Sequence, residues 1–318
     1  MKLQINVLRL GILALLSSIG LTSSRADSLL VASGLTDQIL RYDSSSGAFL
    51  GVFAQGGGLD APQGLAYGPD NDLYVSSFST GSILKFDGQT GAFISTFVAA
   101  GSGGLNQPYR LTFGPDNNLY VASQSAAAIL KFDGVTGASL GTFVSVAGNV
   151  PIDLEFRLDG NLYVSRLHAT GDVSRYNGVT GASLGVFATG FGNNGPHGFA
   201  FGPNGDLFVT DFSADVVRRF DGTTGSSLGN FVSSSRPDDV LFDAGGNLLV
   251  TSISNDSVRR YNGTTGVFID SFVAPGSGGL DSPNAMLLSS QPVPEPSSAM
   301  LIIMGVSTAA YFHRRKRA

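Results

Sequence analysis

The sequence predicts an all-β fold: a six-bladed β-propeller of four-stranded antiparallel blades, its ring closed by pairing the N- and C-terminal strands. Three observations carry that prediction. A strand–turn–strand motif recurs six times, each repeat holds four strand-like runs, and the array starts and ends on complementary fragments of one blade. The motif reads Arg41-Tyr42-Asp43 with Gly47, Lys85-Phe86-Asp87-Gly88-Gln89-Thr90-Gly91 and Lys131-Phe132-Asp133-Gly134-Val135-Thr136-Gly137. It continues at Arg175-Tyr176-Asn177-Gly178, Arg219-Phe220-Asp221-Gly222 and Arg260-Tyr261-Asn262-Gly263. The closing glycines 47, 91, 137, 181, 225 and 266 lie 44, 46, 44, 44 and 41 residues apart. A period of that size marks a solenoid, a propeller or an array.

Within one repeat, Leu65-Ala66-Tyr67 ends at the turn Gly68-Pro69-Asp70-Asn71-Asp72, and Leu73-Tyr74-Val75 follows. A Ser/Thr/Gly loop leads to Ile83-Leu84-Lys85-Phe86, and the Asp-Gly turn leads to Phe93-Ile94-Ser95-Thr96-Phe97-Val98. Short runs rich in aromatic and β-branched residues, bounded by Gly, Pro, Asn and Asp, are strands. The Asp-Gly and Asn-Gly pairs are expected to supply the positive φ angles of tight hairpins. No segment of 28–290 sustains a 3.6-residue period, so no helix is expected there. Aromatic residues recur in phase. Tyr67, Phe113, Phe156, Phe201 and Phe242 end the first strands; Tyr42, Phe86, Phe132, Tyr176, Phe220 and Tyr261 sit on the third. Phe53, Phe97, Phe143, Phe187, Phe231 and Phe272 sit on the fourth, and all are expected to be core between neighbouring blades.

The chain enters the array at Leu29-Leu30-Val31, which matches a second strand, and leaves it at Pro283-Asn284-Ala285-Met286-Leu287-Leu288, which matches a first strand. Pairing the two completes a sixth blade and removes exposed sheet edges. Repeats such as Pro196-His197-Gly198-Phe199-Ala200-Phe201-Gly202-Pro203-Asn204-Gly205-Asp206-Leu207-Phe208-Val209 resemble NHL repeats. They also resemble the repeats of the virginiamycin B lyase group of six-bladed propellers. The resemblance covers about residues 28–290 and implies the fold, whereas propellers of this kind host lyases, lactonases and pure binding proteins. A WD-repeat array is excluded, because the chain has no Trp.

Three domains are expected: a signal peptide at 1–26, the propeller at 27–290 and a sorting segment at 291–318. Lys2 and Arg9, an apolar stretch from Leu10 to Leu21, and Ser24-Arg25-Ala26 form a secretory signal with cleavage after Ala26. Near the other end, Val293-Pro294-Glu295-Pro296 precedes an apolar stretch from Ala299 to Phe312 and the basic run His313-Arg314-Arg315-Lys316-Arg317. That stretch barely spans a bilayer, and the basic run favours the cytoplasmic side. The order resembles the PEP-CTERM sorting signal. The resemblance implies an exosortase, a membrane transpeptidase, as partner. It also implies transient membrane anchoring and delivery to the bacterial cell envelope or extracellular matrix.

Composition narrows the function classes. With no cysteine, disulfides, thiolate metal sites and Cys nucleophiles are all excluded. The net charge is −5, and seven of the 19 Lys and Arg lie in the two terminal segments, so the propeller is acidic and nucleic acid is not an expected partner.

Candidate site residues follow from the phase of the repeat. Residues just after the proline that opens each first strand should converge at one mouth of the channel. They are Gln63, Tyr109 with Arg110, Ile152 with Asp153, His197, Asp238 with Asp239, and Asn284. The loop from second to third strand faces the same way. It offers Ser33, Ser77, Ser123 and Ser252, with Arg166 and Asp211 as exceptions and His168 nearby. Convergent polar groups in a concavity are the default ligand site, so Tyr109, Arg110, Asp153, Arg166, His168, His197, Asp211, Asp238 and Asp239 are the ligand-binding candidates. Related lyases use a His on this face with a divalent metal, which makes His197 the candidate catalytic residue. A three-His zinc site is excluded, because only His168 and His197 remain in the propeller. Lactonases of the gluconolactonase type use a Glu ligand, and residues 27–292 hold a single Glu, Glu155. A hard divalent cation on mixed Asp, Asn and His ligands stays open. The turns at Asp70, Asp116 and Asn204 are expected to be hairpin turns rather than calcium loops. The preferred reading is an exported binding or scaffold module partnered by extracellular polysaccharide or envelope proteins. The alternative is a metal-dependent lyase or hydrolase at His197.

Overall fold

The structure, a computed structural model, describes residues 28–146 and 148–289. The expected signal peptide and the sorting motif with its apolar stretch lie outside these residues. Six four-stranded antiparallel sheets make six blades. Blade 1 joins Pro283–Ser289 to Ser28–Ser33, Gln38–Asp43 and Phe49–Gln55, with Leu29 opposite Leu288 and Val31 opposite Met286, so the ring closes as expected. The inner strands of blades 2 to 6 are Pro62–Tyr67, Pro108–Phe113, Val150–Phe156, Pro196–Phe201 and Val240–Phe242. Among the described residues, helix is limited to three single 3-10 turns, Ser102–Gly104, Ile253–Asn255 and Ser277–Gly279.

The core is divided. Buried apolar residues fall into six clusters, and each cluster draws on two neighbouring blades. The seam between blades 2 and 3, for example, buries Tyr74, Ile83 and Val98 against Leu111, Val121 and Phe132. Each blade is thus stabilised by its two neighbours, as in other repeat proteins. At four seams the second-strand ring is clasped edge-on by two others. Tyr74 meets Phe97 and Phe113; Tyr120 meets Phe143 and Phe156; Tyr163 meets Phe187 and Phe201; Phe208 meets Phe231 and Phe242. Such pairs add roughly 0.5–1.5 kcal/mol each beyond the area they bury. At these seams the first- and fourth-strand aromatics are half-buried and pack against the core, and the second-strand ring they grip is its fully buried member.

The hairpin turns correct one expectation. The glycine of Asp-Gly does not take a positive φ; the closing glycine does, at +72° for Gly91. The turn is wider than a two-residue hairpin, with Gly91 N–H bonded to Asp87 O and Asp87 N–H to Ala92 O. Gly88 is needed for approach instead: a Cβ there would lie 1.8 Å from Asn71 O. The first-to-second strand turns hold the core tyrosines. Tyr74 donates its hydroxyl to Asp70 (2.9 Å) and Tyr120 to Asp116 (3.0 Å), and Lys85 and Lys131 pair with the same acids. Where the ring is Phe208 and has no hydroxyl, the turn residue is Asn204. These acids serve the hairpins, as expected.

Candidate functional site

The inner strands start at one mouth of the channel, and their first side chains meet there. Arg110, from blade 3, reaches across to blade 6, where Nη2 donates to Asp238 Oδ2 at 2.9 Å. The same guanidinium donates to Asn284 O in blade 1 (2.9 Å) and Gln63 O in blade 2 (2.8 Å), and Nη1 lies 3.6 Å from Asp239. Tyr109 donates its hydroxyl to Asp238 Oδ1 (3.1 Å), and His197 Nδ1 lies 2.6 Å from that oxygen. Asp153 and Asp239 each accept a backbone N–H from the next blade, Phe199 at 3.0 Å and Met286 at 2.7 Å. One buried network thus ties all six blades together, and Arg110 is its centre.

Electrostatics follow from that centre. Burial alone would lower the pKa of Arg110, but the charges of Asp239, Asp238 and Asp153 outweigh it and raise the value. Burial would raise the Asp238 carboxyl, yet the hydrogen bond from His197 together with the Arg110 guanidinium holds it low. Asp153 and Asp239 lie above the usual carboxylate range because burial outweighs the pull of Arg110. Burial also pushes Glu155, two residues along the strand from Asp153, up to about 7.

The structure brings Tyr109, Arg110, Asp153, His197, Asp238 and Asp239 into one network. It does not bring in the other three candidates. Arg166 grips Asp172 through Nε (2.9 Å) and Nη2 (2.7 Å), and His168 Nε2 meets the same acid at 2.6 Å. Asp211 receives Arg218 Nε at 2.7 Å. Each exception satisfies its charge inside its own blade. The serines at the matching position latch the loops instead, as when Ser123 Oγ accepts Asn106 N–H and donates to Asn106 O.

A divalent cation fits this mouth poorly. Both Asp238 oxygens are engaged, Asp153 and Asp239 each accept backbone amides, and a guanidinium already stands among the three acids. Among the described residues, no group of three or more His, Asp or Glu is arranged to hold a metal ion. The dyad of His197 and Asp238 has a different character. With Nδ1 on the carboxylate, His197 keeps Nε2 buried and without a hydrogen-bond partner, while its ring stacks on Phe212 (4.5 Å, 8°) beneath Arg236. A carboxylate-oriented imidazole with a spare nitrogen is the arrangement of a general base.

A scan of the sequence against protein-family models finds no match, and a search of curated proteins finds none. Solved structures do resemble the chain. A chain of a nidogen/laminin complex has a TM-score of 0.69 at 18% identity, covering 83% of this chain and 99% of that one. A gluconolactonase from Xanthomonas campestris has 0.56 at 19% identity, covering 77% and 83%. Regucalcin, a calcium-binding protein from Agrobacterium tumefaciens, has 0.53 at 17% identity, covering 66% and 72%. At such identities the likeness is one of fold.

Proposed function

We propose that this chain is an exported propeller acting as a binding and scaffold module of the cell envelope or extracellular matrix. The observation that carries the non-metal part of this reading is Arg110, whose guanidinium takes the place among Asp153, Asp238 and Asp239 where a cation would otherwise stand. Export rests on the sequence of the two ends: a signal peptide cleaved after Ala26, and Val293-Pro294-Glu295-Pro296 with its apolar stretch and basic run as a PEP-CTERM signal read by an exosortase. Mass spectrometry of the chain from its producer tests this. Mature termini at Asp27 and near Pro296 are expected in the envelope or matrix fraction; an intact chain in the cytoplasm would refute export. Retention of the purified propeller by the producer's own polysaccharide is the matching binding test, and free elution would count against the binding role.

A second reading, a lactonase of the kind seen among the fold's neighbours, is favoured by one observation, the spare buried Nε2 of His197. It predicts turnover of a lactone that disappears in His197→Gln. Equal rates in both proteins, or none in either, would remove it.

A further inference from the structure

The far face of the ring carries a departure from the repeat that the channel mouth does not use. After the inner strand, blades 2, 3 and 5 read Gly68-Pro69, Gly114-Pro115 and Gly202-Pro203, whereas blade 4 reads Arg157-Leu158. The three glycines are sterically required. A Cβ on Gly68 would lie 2.5 Å from Tyr74, one on Gly114 2.5 Å from Tyr120, and one on Gly202 2.8 Å from Phe208. Blade 4 instead lays the Arg157 guanidinium over Phe201 of blade 5, 3.5 Å from the ring centre, with Nη1 donating to Gly222 O at 3.2 Å.

A cavity of about 550 Å³ opens at this seam, lined by Glu155, Arg157, Leu158, Arg175 and Thr223 among others. Three of these residues, Glu155, Arg157 and Leu158, depart from their equivalents in other blades, such as Ala66, Gly68 and Pro69. The basic group on the third strand is not paired as in the neighbouring blades: Arg175 meets the Tyr163 hydroxyl and lies over Phe187. Residues equivalent to Arg175 pair with a turn acid in blades 2, 3 and 5: Lys85 with Asp70, Lys131 with Asp116 and, two positions further along the turn, Arg219 with Asp206. Among the described residues no ion pair joins Arg175 to Asp159, and Arg175 Nε is buried without a hydrogen-bond partner. Asp159 is instead occupied by Asn161 N–H and the Tyr163 hydroxyl. Glu155 makes no side-chain hydrogen bond among the described residues, and burial keeps its carboxyl largely protonated below about pH 7.

We propose that this cleft binds a carboxylate-bearing sugar, free or as a unit of an acidic polysaccharide, resting for its partner on the binding role proposed above. The unused edge of Arg157 offers the fork that carboxylates recognise. Glu155 and Thr223 line the cavity as partners for sugar hydroxyls, and the volume is that of a small-ligand pocket.

Calorimetry of the full propeller with sodium glucuronate, glucose and sodium acetate tests the assignment. Glucuronate should bind in the millimolar range, at least tenfold more tightly than glucose or acetate. Arg157→Gln should lose at least tenfold, and Arg157→Lys less, with folding checked by circular dichroism. Thr223→Val, at a surface turn, should weaken binding more modestly. Equal binding of glucose and glucuronate, or glucuronate affinity unchanged in Arg157→Gln, overturns the proposal. Retention on the producer's polysaccharide separates the two claims. A polymer still bound by Arg157→Gln keeps the scaffold role and sinks the cleft. A polymer never bound, alongside tight glucuronate binding, keeps the cleft and sinks the role.

Discussion

The outer hairpins and the inner strands of the same blades are built on opposite rules. In the outer turns one arrangement is repeated with little change. Asp87 Oδ1 accepts Gln89 N–H, Thr90 N–H and the Thr90 hydroxyl, and Asn177 Oδ1 accepts the same three groups from Val179 and Thr180. Asp and Asn interchange because only an acceptor oxygen is needed. At the inner-strand position after the proline, by contrast, six blades place six different residues, Gln63, Tyr109, Ile152, His197, Asp238 and Asn284. Repetition here is mechanical, and individuality sits where the blades must close a common channel. The uniform region shows exchange within its pattern, and the individual region is expected to tolerate far less.

The largest expected effect is at the channel. Arg110→Ala would strand Asp238, Asp239 and Asp153 without their cation, and losing one partner of a buried ion pair costs about 3–5 kcal/mol. Chemical denaturation checks this, and a loss under about 1 kcal/mol would erase the contrast between the two regions. Next comes the hairpin's closing glycine. Gly91→Ala sets a Cβ at a φ of +72° and 1.7 Å from Phe53 O of the preceding blade, so a loss of roughly 1–3 kcal/mol or more is expected.

Glu155 gives a pH-dependent effect. Its carboxyl is raised in the folded chain to about 7 from 4.5, so the protonated form stabilises the fold. That contribution is full below about pH 4.5 and is lost as pH rises through about 7. The melting temperature of Glu155→Gln minus that of wild type should therefore grow from pH 5 to pH 8; a constant difference would contradict the assignment. Smallest of all is Asp87→Asn. It should change stability by no more than about 0.5 kcal/mol, because Asn177 and Asn262 already fill that role.

Much of this was legible in the chain. The phase of the repeat gave the strands, the closing blade and the meeting of Tyr109, Arg110, His197 and Asp238, residues up to 129 positions apart. Periodicity reports backbone placement, and backbone placement decides what converges. It does not report where a long side chain ends. Arg166 and His168 turn to Asp172, and Asp211 to Arg218, each meeting an opposite charge within its own blade. Asp-Gly points to a positive φ at its own glycine because the pair is also the signature of a shorter turn, whereas the wider turn here places it three residues on, at the closing glycine. The far-face cleft did have a signal, Arg157-Leu158 where blades 2, 3 and 5 read Gly-Pro, beside the propeller's single glutamate.

The central claim is that the channel supplies its own cation. Thermal melts of the purified propeller in EDTA and in millimolar Ca²⁺, Mg²⁺ or Zn²⁺ test it most directly. Wild type should melt at one temperature in all four, and Arg110→Ala should melt well below it. A wild-type chain that loses stability in EDTA and regains it with a divalent ion would contradict the account.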